Sequence, residues 1–327
     1  GNWTFAASAV DRWWGPGWDG SLILSNNARP IPALTISRNR THAFETKWLS
    51  WLGPWSLDVI FGQMEEEREI PNANFFGMRF SFRPLPSLEI GLSRSAQWCG
   101  DGRPCGFDTF WDLFLGRDNT GSDDITEETE PGNQLAGVDV RWSNTWLRQP
   151  SAIYVQAIAE DEAGGFPSRY MGLVGIETSG VVRNRWSYRW YAELAGTSCD
   201  WIKDDIWNCA YNHGIYETGY RYHQRVVGHG LDNDSQVVST GLMVVGNDSD
   251  SWHLLFRIGD LNRGGDPDLR NSLTPTPLEL SSIDITHSRS IGQWGWLDLG
   301  LGYERLEDTA ANDKSDDVRA FVTWRSH

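Results

Sequence analysis

The residues in this 327-residue chain that could handle a ligand fall in three places. In residues 11–30, DRWWGPGWDGSLILSNNARP, Trp13, Trp14 and Trp18 stand near Asn26, Asn27 and Arg29, and Gly15, Pro16 and Gly17 break both helix and sheet ladder. Indole faces stack on the apolar face of a pyranose while Asn and Arg bond its hydroxyls, so this is the composition of a sugar platform. The same indoles would serve equally as a hydrophobic plug that packs a turn. In residues 220–235, YRYHQRVVGHGLDNDS, His223 or His229 with Asp232 would suit a hydrolase if a serine joined them, a weak signal on its own. Asp232-Asn233-Asp234 lacks the spaced Gly and bidentate Glu of a calcium loop and fits a turn capped by its own side chains. Between 101 and 130, nine carboxylates face only Arg103 and Arg117. They form either a solvated face or a surface that takes an acidic glycan through bridging divalent cations. There is no GxSxG, HExxH, Walker loop or GxGxxG before a helix, so a non-enzymatic protein without a resident cofactor is expected.

Composition narrows the partners. A net charge of −16 argues against nucleic acid, whose recognition needs basic stripes. No apolar run approaches the ~18–20 residues of a membrane helix. No signal peptide is present and Gly1 opens within a strand-like pattern, the expectation for a mature or trimmed chain. The cysteines form two local pairs, Cys99/Cys105 and Cys199/Cys209, without metal-ligand spacing. Two short disulfide-closed loops fit this arrangement, with four unrelated thiols as the alternative.

The elements that must position these residues are strands. Phe76, Met78, Phe80 and Phe82 alternate with Gly77, Arg79, Ser81 and Arg83, and Trp186, Tyr188, Trp190 and Leu194 alternate with Ser187, Arg189, Tyr191 and Glu193. Similar rows recur throughout the chain. A soluble sandwich would bury the apolar face, but three details favour lipid. The strands run about 10–12 residues, near the length needed to cross a bilayer obliquely. Trp and Tyr recur at row ends, as an interfacial belt requires. The opposite face carries Arg, Asp, Glu and Ser, which suit a hydrogen-bonded lumen and would be costly in a sandwich core. The reading is all-β: a transmembrane antiparallel barrel of about 12–16 strands, one domain over residues 1–327.

Short turns are expected at 84–87, 179–182, 247–250 and 288–291, and long polar loops outside at 97–132, 262–276 and 306–316. Strand parity makes 197–235 a single extracellular or lumen-folded excursion, in which the strand-like stretch 216–227 does not complete a crossing. Residues 107–115 carry helical apolar spacing and predict a short helix in the first long loop. The side on which residues 11–30 lie depends on the strand parity at 32–48.

Four blocks in order, 11–30, WLSWLGPWSLDVIFGQ (48–63), PLPSLEIGLSRSAQWCGDGRP (84–104) and RVVGHGLDNDS (225–235), resemble the Wzi family of capsule-assembly outer-membrane proteins over essentially the whole chain. The resemblance implies a Gram-negative outer-membrane barrel, 18-stranded in the best-known member. It also implies a lectin-like, non-enzymatic role that holds capsular polysaccharide or exopolysaccharide at the cell surface. Family members carry extra N-terminal sequence, with a helical part that closes the periplasmic side, and this chain starts beyond it. The cysteine pairs have no place in the family pattern.

The expected function is therefore polysaccharide retention. Trp13, Trp14, Trp18, Trp98, Trp111, Trp201 and Trp207 are the stacking candidates, and Asn26, Asn27, Arg29, Arg103, Arg117, His229 and Asp232 the polar ones. Outer-membrane lipid, lipopolysaccharide and the polysaccharide-export machinery are the further partners expected. The rival is a diffusion porin or sugar channel with Arg79, Arg83, Arg185 and Arg189 along its pore.

Overall fold

The computed structural model of the chain describes residues 1–114, 132–146, 148–163, 166–183, 185–203, 206–246, 250–264 and 267–326. The strands are β1 (Trp3–Ser8), β2 (Ala33–Arg38), β3 (Trp55–Gln63), β4 (Asn74–Leu85), β5 (Leu88–Trp98), β6 (Gly132–Trp146), β7 (Gln149–Ala163), β8 (Phe166–Val182) and β9 (Trp186–Gly196). They continue with the two-residue β10 (Arg221–Tyr222) and β11 (Arg225–Val226), then β12 (Gln236–Gly246), β13 (Ser251–Leu261), β14 (Leu278–Ser290), β15 (Trp296–Asp308) and β16 (Asp313–Arg325). A helix, α1 (Phe107–Phe114), follows β5. Fourteen strands make one antiparallel sheet in chain order, with β9 pairing directly to β12, while β10 and β11 form a separate ribbon. β1 and β16 are the sheet's edges and do not pair with each other, so it stands as an open barrel wall.

Register places the two faces. Ile153, Val155, Val174, Val238, Phe256, Ile283, Leu301 and Val318 point outward and are exposed, a continuous apolar wall. The inward positions carry ion pairs: Arg79 donates to Asp139 at 2.6 and 2.9 Å, Arg141 pairs with Glu177, and Arg319 reaches Asp284 at 3.0 Å. Paired charges inside and hydrocarbon outside are what a lipid-spanning strand demands.

The register also resolves the parity at 32–48. Ala33 pairs with Ser8 of β1 and Gly62 of β3, so the 9–32 connection leaves the sheet at the same end as the loops after β5, β9 and β13. We call this the long-loop end. Two expected turns and one expected long loop sit elsewhere because the strands pair further than alternation suggested. β8 and β9 pair out to Val182 and Trp186, moving that turn to 183–185. β14 and β15 pair to Ser290 and Trp296, moving the next to 291–295. The expected long loop at 306–316 contracts to 309–312 because Asp308 still pairs with Asp313. The excursion 197–235 is confirmed as one unit, with the 216–227 stretch reduced to the β10–β11 ribbon.

Two segments fill the barrel interior. Residues 9–32 contribute Trp14, Leu22, Ile23 and Leu24, and the excursion contributes Tyr211, Tyr216, Tyr220 and Val226, all buried in one core with Ile60, Phe75 and Tyr154 of the wall. Tyr211 and Tyr220 stack at 6.1 Å and donate their hydroxyls to the carbonyls of Leu22 and Ile23 at 2.7 and 2.8 Å. The excursion is knotted internally by Arg221, 2% exposed, which donates to both carboxylate oxygens of Asp232 at 3.0 and 2.5 Å and to Asn212 at 2.9 Å. Ser272, from the loop after β13, donates to the same carboxylate at 2.8 and 2.5 Å. Removing one partner of such a pair leaves a buried charge alone. Arg221→Met is expected to cost about 3–5 kcal/mol, and Arg221→Met with Asp232→Leu to recover much of it, read as thermal unfolding midpoints in detergent.

Candidate functional site

Residues 9–32 are nailed to the lumen wall by side chains that the strands hold rigidly. Gln156 of β7 receives the Leu22 N–H at 2.9 Å and donates to the Trp14 carbonyl at 2.8 Å. Glu193 of β9 receives the N–H groups of Trp18 and Asp19 at 2.5 and 3.0 Å and the Tyr154 hydroxyl at 2.7 Å. Arg257 of β13 grips Asp19 through two nitrogens, at 2.9 and 2.6 Å. Burial opposes ionisation of Asp19, but the hydrogen bonds and charge of Arg257 outweigh it and hold that carboxyl below its ordinary range. These bonds matter because a backbone group without a partner inside a lumen has no bulk water to replace it.

Between this plug and β13–β16 lies a cleft of about 510 Å³ at the long-loop end. The plug supplies Trp13, Asn26 and Asn27, the excursion supplies His229, and the strands supply Arg257, Glu304 and Arg319. Trp13 is pinned by its own Nε1–H, which donates to the Gly17 carbonyl at 3.0 Å. Asn26 is exposed, while Asn27 is tied by its amide to the Val226 carbonyl at 3.0 Å. His229 is buried against Gly20, where a Cβ would lie 2.1 Å from its Nε2, so only glycine fits. Its Nδ1 accepts the Leu231 N–H at 3.3 Å. The two arginines are ion-paired with three carboxylates, Asp19, Asp284 and Glu304, which leaves this set one negative charge in excess.

The sequence-predicted residues separate into distinct places. Trp13, Asn26, Asn27 and His229 line the cleft together. Trp14 is buried in the core. Trp18 is engaged by Tyr191, stacked at 6.0 Å, and by the Arg189 guanidinium over its ring at 4.4 Å, and its Nε1–H donates to Glu177 at 2.5 Å. Asp232 is wholly buried against Arg221. Arg29 is exposed on the other side of the plug, in the recess lined by Arg12 and Phe75. Trp207 lies under the Arg263 guanidinium at 5.4 Å. Trp98, Trp111 and Trp201 lie on the outer wall. Arg103 lies inside the loop closed by the Cys99–Cys105 disulfide, and the other expected disulfide, Cys199–Cys209, is also formed. Arg117 and most of the carboxylate run lie outside the described residues.

Neither imidazole of the 220–235 block meets a serine hydroxyl among the described residues, and Asp232 is committed to Arg221, so no hydrolytic arrangement is brought together there. Of the lumen arginines, Arg79 is ion-paired and Arg189 lies on Trp18. Sequence reasoning missed Asp19, Arg257, Glu304 and Arg319. Alternation puts the last three on the inner face, but nothing local shows that they share a cleft with residues more than 200 positions away.

An apolar outer wall, an ion-paired inner wall and a plug hydrogen-bonded into the lumen define an outer-membrane β-barrel with a filled interior. The model of the capsule assembly protein Wzi matches residues 1–319, and the chain belongs to that family. A Klebsiella pneumoniae protein described as an uncharacterized 55.8 kDa protein in the cps region is 43% identical over 192 residues, which are 58% of this chain and 36% of that one. A solved Escherichia coli structure, described as Wzi, an outer membrane protein involved in group 1 capsule assembly and a carbohydrate-binding β-barrel, is 30% identical with a TM-score of 0.84. That match covers 100% of this chain and 68% of the other.

Two buried groups of the excursion, His229 and Asp234, predict a pH response. Burial pushes the His229 imidazole from 6.5 down to about 4, Asp19 pulling it up and Arg257 further down. Between those pH values the unfolded chain binds a proton that the folded chain does not, so this group's contribution to stability falls as pH drops from about 6.5 toward 4. Burial and the neighbouring Asp268 push Asp234 up to about 6 despite hydrogen bonds from Asn208 and Asn233, and it acts in the opposite sense, its contribution being lost as pH rises from 3.8 through about 6. Comparing His229→Asn with the parent isolates the first effect. The difference between their unfolding midpoints in detergent is expected to shift against the parent as pH falls from 7.5 to 4.5.

Proposed function

We propose that this protein is a non-enzymatic surface lectin that holds capsular polysaccharide or exopolysaccharide in the cleft at its long-loop end, with that end facing outward from the cell. The observation that carries the reading is the convergence of Trp13, Asn26, Asn27 and His229, from two segments about 200 residues apart, on one cleft walled by Arg257 and Arg319. An indole face with amide and guanidinium donors suits a pyranose, and two arginines paired with three carboxylates suit a hydroxyl-rich stretch of polymer. Membership in the capsule-assembly family and likeness to a carbohydrate-binding barrel support the same reading. A channel is not favoured, because the plug and wall ion pairs occupy the interior.

The test is surface retention. In cells whose only copy carries Trp13→Ala with Asn26→Ala, polymer is expected to move from the cell surface into the medium, approaching the amount shed by cells without the protein. Loss of one stacking ring corresponds to about tenfold weaker binding. Trp111→Ala, on the outer wall, is expected to leave retention intact. Unchanged retention in the cleft variant, with the barrel present at normal abundance, would sink the reading.

A further inference from the structure

Each disulfide closes a loop at the rim from which aromatic side chains turn back over the outside of the barrel, the Cys199–Cys209 bond itself packing against the interior core. The Cys99–Cys105 bond, spanning six positions, closes the connection from β5 to α1. Trp98 faces outward, and Phe110 of α1 packs on it at 5.1 Å, on Phe76 at 5.4 Å and on Phe61 at 6.2 Å. Phe61 and Phe76 are cross-strand partners in the outward row, so α1 lies against the lipid-facing wall. Arg94, also in an outward row, donates to Oε1 of Gln134 on the neighbouring strand at 3.0 Å. It donates as well to the Leu113 and Phe114 carbonyls at 2.6 and 2.8 Å, which clamps the helix C-terminus to the wall. Along the flank of the same apolar face of α1, Phe107 and Trp111 stack at 6.0 Å, Trp111 stacks in turn on Phe114 at 5.4 Å, and Phe107 and Trp111 remain 76% and 49% exposed.

The Cys199–Cys209 loop repeats the device on another sector. The Trp201 N–H donates to the Tyr170 carbonyl at 3.1 Å, and its ring lies over Gly172 and Gly196, where added Cβ atoms would come within 1.9 and 3.3 Å of it. Both glycines belong to the outward rows that carry Val174 and Leu194. Ile202, beside that ring, is 80% exposed.

We propose that these two disulfide-closed loops are membrane anchors, seated at the headgroup–acyl boundary of the outer leaflet. Their faces are continuous with the lipid-facing wall, they stand at the rim where barrels place aromatic belts, and Phe107 and Ile202 offer no hydrogen bond to a sugar hydroxyl. Lipid is thus the occupant the chemistry fits, and each disulfide keeps its loop from lifting off the rim.

All four native cysteines are in disulfides, so one introduced thiol is the only label site. Nitroxide is attached to Phe107→Cys or Ile202→Cys in the otherwise intact protein, in vesicles of phosphatidylethanolamine and phosphatidylglycerol. Val174→Cys serves as the lipid reference and Leu269→Cys, 88% exposed in the loop after β13, as the aqueous one. Collision with oxygen relative to a water-soluble nickel chelate is expected to be several-fold higher at 107 and 202 than at 269, approaching the value at 174. Replacing Cys99 and Cys105 by serine is expected to lower the ratio at 107 toward the aqueous reference. A ratio at 107 and 202 equal to that at 269, or protection from both reagents by covering protein, would overturn the assignment.

Discussion

Everything at the mouth of this barrel depends on satisfying the backbone of residues 9–32 inside the lumen. That segment has little regular secondary structure of its own, so its amides and carbonyls need partners from outside. Gln156 and Glu193 supply them from the wall, and Tyr211 and Tyr220 from the excursion. The wall cannot do this alone, since the tyrosines reach Leu22 and Ile23 only because Arg221 and Asp232 hold the excursion in shape. A buried ion pair is weak evidence for stability by itself. Here it decides where a loop of nearly 40 residues sits, and so where His229 meets the plug.

The same scaffold divides the tryptophans by solvent. Trp14 and Trp18 face the packed lumen, Trp13 faces the cleft, and Trp98, Trp111 and Trp201 face the outer wall. One residue type thus fills a plug, lines a ligand cleft and covers the lipid-facing rim, because an indole is apolar over most of its surface with one polar edge. The enclosed ring nitrogen of Trp18 is hydrogen-bonded by a glutamate of the wall, as burial of that edge requires.

Strand alternation was legible from the residues themselves, since a wall between lipid and lumen writes a period of two along every strand. The helix over Phe107–Phe114, the pairing of the cysteines and the single 197–235 excursion were legible for similarly local reasons: spacing, loop length and parity. Turn boundaries were not, because Val182 and Ser290 stay in the ladder through partners that turn propensity ignores. The cleft was only half legible. Trp13, Asn26 and Asn27 advertised themselves as a cluster, but the Asp19–Arg257 bond joins residues 238 positions apart and leaves no local trace. The direction taken by α1 was likewise hidden, since its apolar faces fit equally a lumen and an outer wall.

The central claim is that the cleft holds polysaccharide without cutting it. Its most direct measurement is calorimetric titration of the purified protein, in detergent, with the capsular polymer of its own cell, followed by sizing of the recovered polymer. Saturable binding that Trp13→Ala weakens about tenfold, with polymer length unchanged, is the predicted result. Absence of saturable heat from correctly folded protein, equal binding by the Trp13 variant, or shortened polymer would contradict it.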